Sequence, residues 1–409
     1  MNKTQLRRYA KLLAKVGVNV KRGQWVIVQA ELDQPEFVEM CVEELYRAGA
    51  GKVTVEWSHQ NLVPLHYKYQ KQAMLEKFEK WEIEKLELRK KELPAMLYIE
   101  SSDPDGLAGM DQEKFTAVRT SRTKVIKPYR DEMDNKYQWC IAAVPGEAWA
   151  KKVFPDLKLG NTAVNKLWDC ILEAARADGP DPVREWLRHN DDLAARCDYL
   201  NRLKLVALEY KSSNGTDFKV GLIPDSTFCG GGEETINGAY FNPNIPSEEI
   251  FISPKAGEAE GIVYSTKPLS YQGELIENFS IRFEGGKVVE VKAEKNQHLL
   301  EKMISMDEGA KMLGECALIA YDSPINNQGI LYYNTLFDEN ASCHLALGRG
   351  FNECVKGYES MSLEELHAKG INDSMIHVDF MIGSKDLEIV GVTKSGERVK
   401  IFENGNWAF

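Results

Sequence analysis

The chain contains 409 residues, and its 51 basic and 62 acidic side chains give a formal net charge of −11 at pH 7. A chain of this length buries roughly three quarters of its unfolded surface, so two or three domains can fold without disulfides or a structural metal. The acidic balance argues against a nucleic-acid partner and against an anionic membrane surface, because both would attract a basic face.

The first residues alternate between helical and extended patterns. Apolar residues recur at helical spacing from Leu6 to Val16, and a short apolar run at 25–28 follows. A second helical pattern at 37–45 leads to another strand at 52–57. A strand, a helix and a strand in this order predict a parallel pair.

The next segment, 66–93, is highly charged and predicts one long exposed helix that ends before Pro94. Two further strands are predicted at 95–99 and 139–144, and helices at about 147–200. This first half is therefore predicted to be an α/β domain with parallel strands.

Beyond Leu203 the pattern changes to short β-rich runs separated by turns such as Gly285-Gly286, which is typical of antiparallel hairpins. The sequence thus predicts an α/β domain at 1–200 and an α+β domain at 201–409. No internal repeat is visible.

Several common enzyme motifs are missing from the sequence. It contains no GxGxxG after the first strands, no GxxxxGK[ST], no GxSxG and no HExxH. Its eight cysteines form no CxxC pair, and no stretch approaches the 18 apolar residues of a membrane span. With no apolar signal segment near the start, we expect a cytoplasmic protein with reduced thiols.

Two histidines differ from the rest. In the alternating stretch 377–381, His377 and Asp379 project from one face of a strand. An imidazole and a carboxylate on one face suit a divalent ion such as Zn, Co or Mn, although a hydrogen-bonded pair without metal has the same spacing. His344 lies in 338–348, which predicts a short capped helix, where a lone histidine is more often a core residue than a ligand. The remaining histidines are expected at the surface or in loops: His59, His66, His189, His298 and His367.

Several glutamates occupy unusual positions. Glu315 opens an apolar strand and shares a face with Ala317. Of the adjacent pair Glu248 and Glu249, period two sends one side chain inward and one outward, and the pattern does not decide which. Taken singly, each is more often solvated than functional.

Together these segments resemble the aminopeptidase T / aminopeptidase S family of bacterial metallopeptidases. The resemblance rests on the segments 242–251, 313–315, 333–344 and 376–379, and on 144–150 and 215–217 upstream. They follow one another in the family's order over nearly the whole chain, which makes the set specific.

The resemblance implies a metal-dependent aminopeptidase that acts on peptides with two divalent ions, usually zinc or cobalt and otherwise manganese or magnesium. It also implies a C-terminal catalytic domain and a homodimer. The implied metal ligands are Glu249, Glu315, Glu339, His344, His377 and Asp379. Glu315 is expected to bridge the ions or to act as the catalytic base. A non-peptidase metal-dependent amide hydrolase and an inactive binding homologue remain as alternatives.

One position departs from the family. Seven residues after His344 the family usually carries a tyrosine close to the metals, and this chain has Phe351. A phenyl ring cannot donate a hydrogen bond to an oxyanion, so we expect a slower peptidase, another donor such as Tyr358, or a changed substrate.

Overall fold

The computed structural model describes residues 2–157, 160–271 and 273–409. They form two compact units. The first contains Met1–Arg188 and Gly232–Pro246, and the second contains His189–Gly231 and Ser247–Phe409. The boundary near residue 200 remains a prediction about independently folding domains.

The first unit is built on a parallel sheet, as predicted. Its strands follow in the order Asn244–Ile245, Trp139–Ala143, Ala95–Glu100, Trp25–Glu31 and Lys52–Ser58. All neighbouring strands in this order are parallel. Val26, Val28 and Leu97 are fully buried, since helices cover a parallel sheet on both faces.

The connections between these strands are mostly helical. The helices are Lys3–Leu12, with a π-helical turn at Leu13–Gly17, then Pro35–Ala48, Leu62–Tyr69, Gln72–Glu76, Lys80–Glu92, Gln112–Met133, Glu147–Val153 and Gly160–Ala174. A short antiparallel pair, Glu233–Glu234 and Tyr240–Phe241, belongs to the same unit. The helix Pro182–Leu203 contains the junction at residue 188.

The prediction of one long helix at 66–93 is wrong, because the chain is extended at Gln70 and again at Lys77. Side chains of the helix Gln112–Met133 bind the carbonyls that these breaks leave free. Lys114 Nζ donates to the carbonyl of Gln70 at 2.6 Å, and Arg122 donates to that of Lys77 at 3.2 Å. Side chains from a distant part of the sequence thus stabilise these helix ends by hydrogen-bonding their carbonyls. No glycine or proline in the sequence indicates where these helices end.

The larger sheet of the second unit is antiparallel. Its strands follow in the order Leu269–Tyr271, Glu274–Glu284, Pro254–Tyr264, Asp217–Leu222, Leu205–Lys211, Glu388–Thr393, Arg398–Glu403 and Asn406–Trp407, and Lys287–Lys295 pairs with Glu274–Glu284. Phe218, Phe279 and Phe283 contribute to its core and are almost fully buried.

A smaller antiparallel sheet in the same unit carries most of the predicted site residues. Its strands follow in the order His377–Met381, His344–Gly348, Leu313–Leu318, Ile250–Ile252 and Cys229–Gly230. Helices at Gln297–Ile304, Pro324–Asn327, Thr335–Asp338 and Leu363–Lys369 complete the unit, with 3-10 turns at Gly309–Lys311, Glu339–Ala341, Asn352–Cys354 and Tyr358–Ser360. The predicted fold class, α/β with parallel strands followed by α+β, is confirmed. Among the described residues, no helix combines the length and apolarity that a bilayer crossing requires.

Candidate metal centre

The register of three strands in the smaller sheet brings four predicted site residues to one face. Glu315 pairs with Ala346, and Ala346 pairs with Asp379. Two residues before Ala346 lies His344, and two before Asp379 lies His377, so all these side chains share a face. Because Ala346 between the two carboxylates is small, it leaves room above the sheet.

The side-chain nitrogen and oxygen atoms on this face lie within a few ångströms of one another. His377 Nε2 is 3.2 Å from Glu315 Oε2 and 3.2 Å from Asp379 Oδ1. His344 Nε2 is 3.5 Å from Glu249 Oε2 and 3.9 Å from Glu315 Oε2. These atoms form two groups, Glu249–Glu315–His344 and Glu315–His377–Asp379, each within 4.8 Å, and Glu315 belongs to both.

Both imidazoles are oriented by backbone carbonyls. Nδ1 of His344 lies 2.9 Å from the carbonyl oxygen of Glu339, and Nδ1 of His377 lies 2.7 Å from that of Arg349. Because a carbonyl oxygen only accepts, Nδ1 is the protonated nitrogen and donates in both rings. Nε2 of each ring therefore faces the carboxylates, which is the usual arrangement of a metal-binding histidine.

These residues fit a divalent metal. Oδ1 of Asp379 is buried and has no hydrogen-bond partner among the described residues, although His377 Nε2 is near. Two lone-pair acceptors facing each other need a cation or a proton between them. Ligands about 2.1 Å from a tetrahedral zinc ion lie about 3.4 Å apart, close to the distances found here.

The charges of this cluster shift the pKa values of its members. Burial lowers the pKa of His377, but the negative charges of Asp379 and Glu315 outweigh burial and raise it well above its usual value. Burial raises the pKa of Asp379, but the charge of His377 outweighs it and holds this pKa well below its usual range. The lone pair of Nε2 thus attracts a proton strongly, and a divalent cation would compete for the same lone pair.

Glu339 lies beside the cluster but outside the two ligand groups. Burial, followed by the negative charges of Asp379, Glu249 and Glu315, raises the pKa of Glu339 well above its usual value. A carboxyl group in this environment can hold a proton near neutral pH.

The adjacent glutamates separate as period two requires. Glu249 faces His344, whereas Glu248 Oε2 lies 3.9 Å from Nε2 of His189. The expectation of a surface or loop position for His189 is wrong. Its side chain is buried in the helix Pro182–Leu203 and contacts the carbonyl of Ser247 at 2.8 Å.

The predicted helix around His344 is also wrong. Asp338 ends the short helix Thr335–Asp338, and Glu339 and Asn340 lie in a 3-10 turn. A strand, His344–Gly348, begins at the histidine itself. All five residues of this strand are buried, and it pairs with a neighbour on each side. These tertiary pairings override the local helix signals.

Asn340 was missed by reasoning from the sequence. It is fully buried, and its Oδ1 accepts a hydrogen bond from the backbone N–H of Glu248 at 2.8 Å. Its Nδ2 donates to the carbonyl of Leu336 at 3.0 Å. No spacing rule could have found it, because its partners lie 92 residues and 4 residues away in the sequence.

Phe351 lies at the edge of the cluster, as the resemblance implies. Its ring centroid is 5.0 Å from that of His377 and 5.1 Å from that of Phe251. Ser253 Oγ accepts a hydrogen bond from the backbone N–H of Phe351 at 2.7 Å, which fixes the backbone at this point.

Comparisons with known proteins identify the family of this chain. The model of the thermophilic metalloprotease (M29) family matches residues 2–407. Aminopeptidase AmpS of Bacillus subtilis is 41% identical over 406 residues, which cover 99% of this chain and 98% of that protein. Aminopeptidase T of Thermus thermophilus is 36% identical over the same shares of the two chains. The solved structure of wild-type AmpT from Thermus thermophilus matches with a TM-score of 0.90 and 35% identity, covering 100% of both chains. The chain therefore belongs to the thermophilic metalloprotease (M29) family.

Proposed function

We propose that this chain removes N-terminal amino acids from peptides with two divalent ions held by Glu249, Glu315, His344, His377 and Asp379. The class is a metal-dependent aminopeptidase, a hydrolase, as the family match and the names of relatives at 36–41% identity support. The single observation that carries the two-ion proposal is the carboxylate of Glu315, which belongs to both ligand groups. A carboxylate has two oxygens and can bind one ion with each.

The charge of the cluster supports two ions. Glu249, Glu315, Asp379 and Glu339 would carry four negative charges when ionised, and two divalent ions carry four positive charges. Imidazole ligands suit zinc and cobalt better than magnesium, so we propose zinc or cobalt first and manganese or magnesium after them.

The residues of the site divide the chemistry among them. When bound, the ions supply polarisation of the scissile carbonyl and a lowered pKa for the attacking water. Glu315 belongs to both ligand groups and would be engaged with the ions, so we do not assign it the role of base. Glu339 lies outside both ligand groups, and its ionised carboxylate would accept the proton of the water and return it to the leaving amine.

The same acidic cluster explains action at an N-terminus. The free ammonium group of a peptide is positively charged, and buried carboxylates attract it strongly. A carboxylate of this cluster can bind it and thereby place the first peptide bond at the centre.

Metal removal is the direct test. After thorough chelation the chain should release no amino acid from a leucyl anilide, and zinc or cobalt should restore the activity, with about two ions per chain found by elemental analysis. Binding should weaken at acidic pH, because protons compete for Nε2 of His377. Full activity in a metal-free sample would disprove the proposal.

Two histidine variants distinguish an effect at the proposed metal centre from a general effect on the protein. His377→Ala should abolish turnover and lower the metal content while the fold persists, because the core does not depend on the metal. His298→Ala, at an exposed histidine, is the control and should behave as the unchanged chain. Metal binding without anilide hydrolysis would favour an amide hydrolase of another class or an inactive binding homologue.

We also propose a cytoplasmic location. All eight cysteines are free, and burial raises the pKa of thiols such as Cys140 and Cys343. Thiols of this kind suit a reducing compartment.

A further inference from the structure

The first unit contains a cavity of about 200 Å³ between its parallel sheet and two helices, Lys80–Glu92 and Gln112–Met133. Gln29 and Tyr98 are register partners on adjacent strands, and both line the cavity. The proposed peptidase reaction uses none of its residues.

The cavity lining is positively charged. Arg89 and Arg130 line it, and no carboxylate is among its described lining residues. Arg89 binds the nearby Glu56 at 2.6 Å, but the same carboxylate oxygen also binds Lys85 at 2.8 Å and Gln29 at 2.9 Å. One negative charge is thus shared between two cations.

Arg89 also has an unused donor. Its Nε is buried and has no hydrogen-bond partner in the part of the chain that the structure describes. A buried N–H without a partner is unfavourable, and an anion in the cavity would satisfy it. Arg130, on the neighbouring helix, also lines the cavity.

The remaining walls are apolar and aromatic. Leu86, Met96 and Ile126 supply apolar surface, and Tyr98 and Tyr137 supply aromatic rings. Burial raises the pKa of both tyrosines, so their hydroxyl groups stay protonated at neutral pH. A ligand that fits must combine an anionic group with an apolar body.

We propose that this cavity binds a small carboxylate with an aromatic ring, the carboxylate at Arg89 and Arg130 and the ring between the apolar walls. The volume agrees with this class, since a cavity of about 150 Å³ accepts benzene. Inorganic phosphate would satisfy the charge but not the apolar walls, and an alkane would leave Nε of Arg89 without a partner.

The experiment is a fluorine NMR titration of the full metal-loaded chain with 4-fluorobenzoate. Arg130→Gln should weaken binding about tenfold or more, the effect of losing a charge-assisted hydrogen bond. Ile126→Trp should block binding by filling the cavity. Arg119→Gln, at an exposed arginine of the same helix, is the matched control and should leave the affinity unchanged. Melting temperatures establish that each variant is folded.

Two further measurements separate this cavity from other sites. 4-Fluorobenzyl alcohol has the same ring without the charge and should bind at least about tenfold more weakly. 4-Fluorobenzoate could also bind the metal centre. In that case chelation would abolish its binding, and Arg130→Gln would leave its binding unchanged. That result, an absence of binding, or equal binding of acid and alcohol would each overturn the proposal. Weakened or lost binding of 4-fluorobenzoate in Arg130→Gln and Ile126→Trp, with binding kept after chelation, would support the proposal.

Discussion

Asn340 joins two parts of the acidic cluster. It holds the backbone just before Glu249 and also the short helix that precedes Glu339. Asn340→Ala should lower metal affinity or activity by about 10–100-fold, as loss of a residue that orients ligands typically does. Leaving a buried N–H without a partner should also lower the free energy of unfolding by about 1–3 kcal/mol. Metal titration and denaturant unfolding measure the two effects.

A second amide side chain, that of the half-buried Asn201, provides the control for this variant. Asn201 accepts a hydrogen bond from the backbone N–H of Phe228 at 2.8 Å and donates to its carbonyl at 3.1 Å, and it contacts no predicted ligand. Asn201→Ala should reduce stability similarly and leave metal affinity unchanged. Equal losses of metal affinity in both variants would mean that Asn340 acts through stability alone.

The phenyl ring of Phe351 lies against His377, where a phenol would reach the site. Phe351→Tyr should raise kcat/KM on aminoacyl anilides by about tenfold or more, because one oxyanion donor is worth about 10²–10³ in kcat. Steady-state kinetics at matched metal content measures the change. An unchanged rate would show that another group already fills the role.

Part of this site could be predicted from the sequence. The alternation of 377–381 placed His377 and Asp379 on one face of a strand, and the structure has them so. It could not place His344, whose neighbours indicate a helix, because strand pairing with distant segments determines its conformation. The short distances from Glu249 and Glu315 to His344 likewise depend on contacts that no local pattern encodes.

At the scale of elements, the strand Leu313–Leu318 contains an irregularity that supports the centre. Its register shifts between Leu313 and Glu315. A Cβ on Gly314 would lie against the carbonyl of Arg349, closer than van der Waals contact allows. That carbonyl orients the ring of His377. Backbone packing at one glycine therefore controls the direction of a proposed ligand two strands away.

Gly314→Ala should therefore impair the centre without touching any ligand. We expect the free energy of unfolding to fall by about 1–3 kcal/mol from overpacking, and metal affinity to fall as His377 turns. Gly179→Ala, where a Cβ has open space, is the control and should change neither quantity. Unchanged metal affinity in Gly314→Ala would show that this irregularity of the strand does not affect the proposed metal centre.

Helix ends were the least predictable elements. Charge and apolar spacing indicated helix throughout 66–93, and most of that range is helical. The breaks depend on Lys114 and Arg122, which lie in a later helix. A sequence pattern describes which residues favour a helix, whereas the binding of its terminal carbonyls depends on the tertiary structure.

For the whole molecule, we predict a homodimer. Large apolar side chains are exposed on the helices of 62–92, among them Tyr69 at 75% and Trp81 at 63%. Exposed apolar residues that cluster on neighbouring helices are typical of an interaction surface. Light scattering at micromolar concentration should give twice the mass of one chain. The mass of a single chain would contradict the prediction.

The path of the chain limits how this protein can be divided or recombined. The segment Gly232–Pro246 returns to the first unit and supplies its strand Asn244–Ile245, next to Trp139–Ala143. A fragment that stops before this segment would leave Trp139–Ala143 as an open edge, which invites pairing with other chains. Exchange of the second unit by a single crossover would carry that strand away with it. Exchange of the second unit alone would therefore require three joints, one after Arg188 and one on each side of the returning segment.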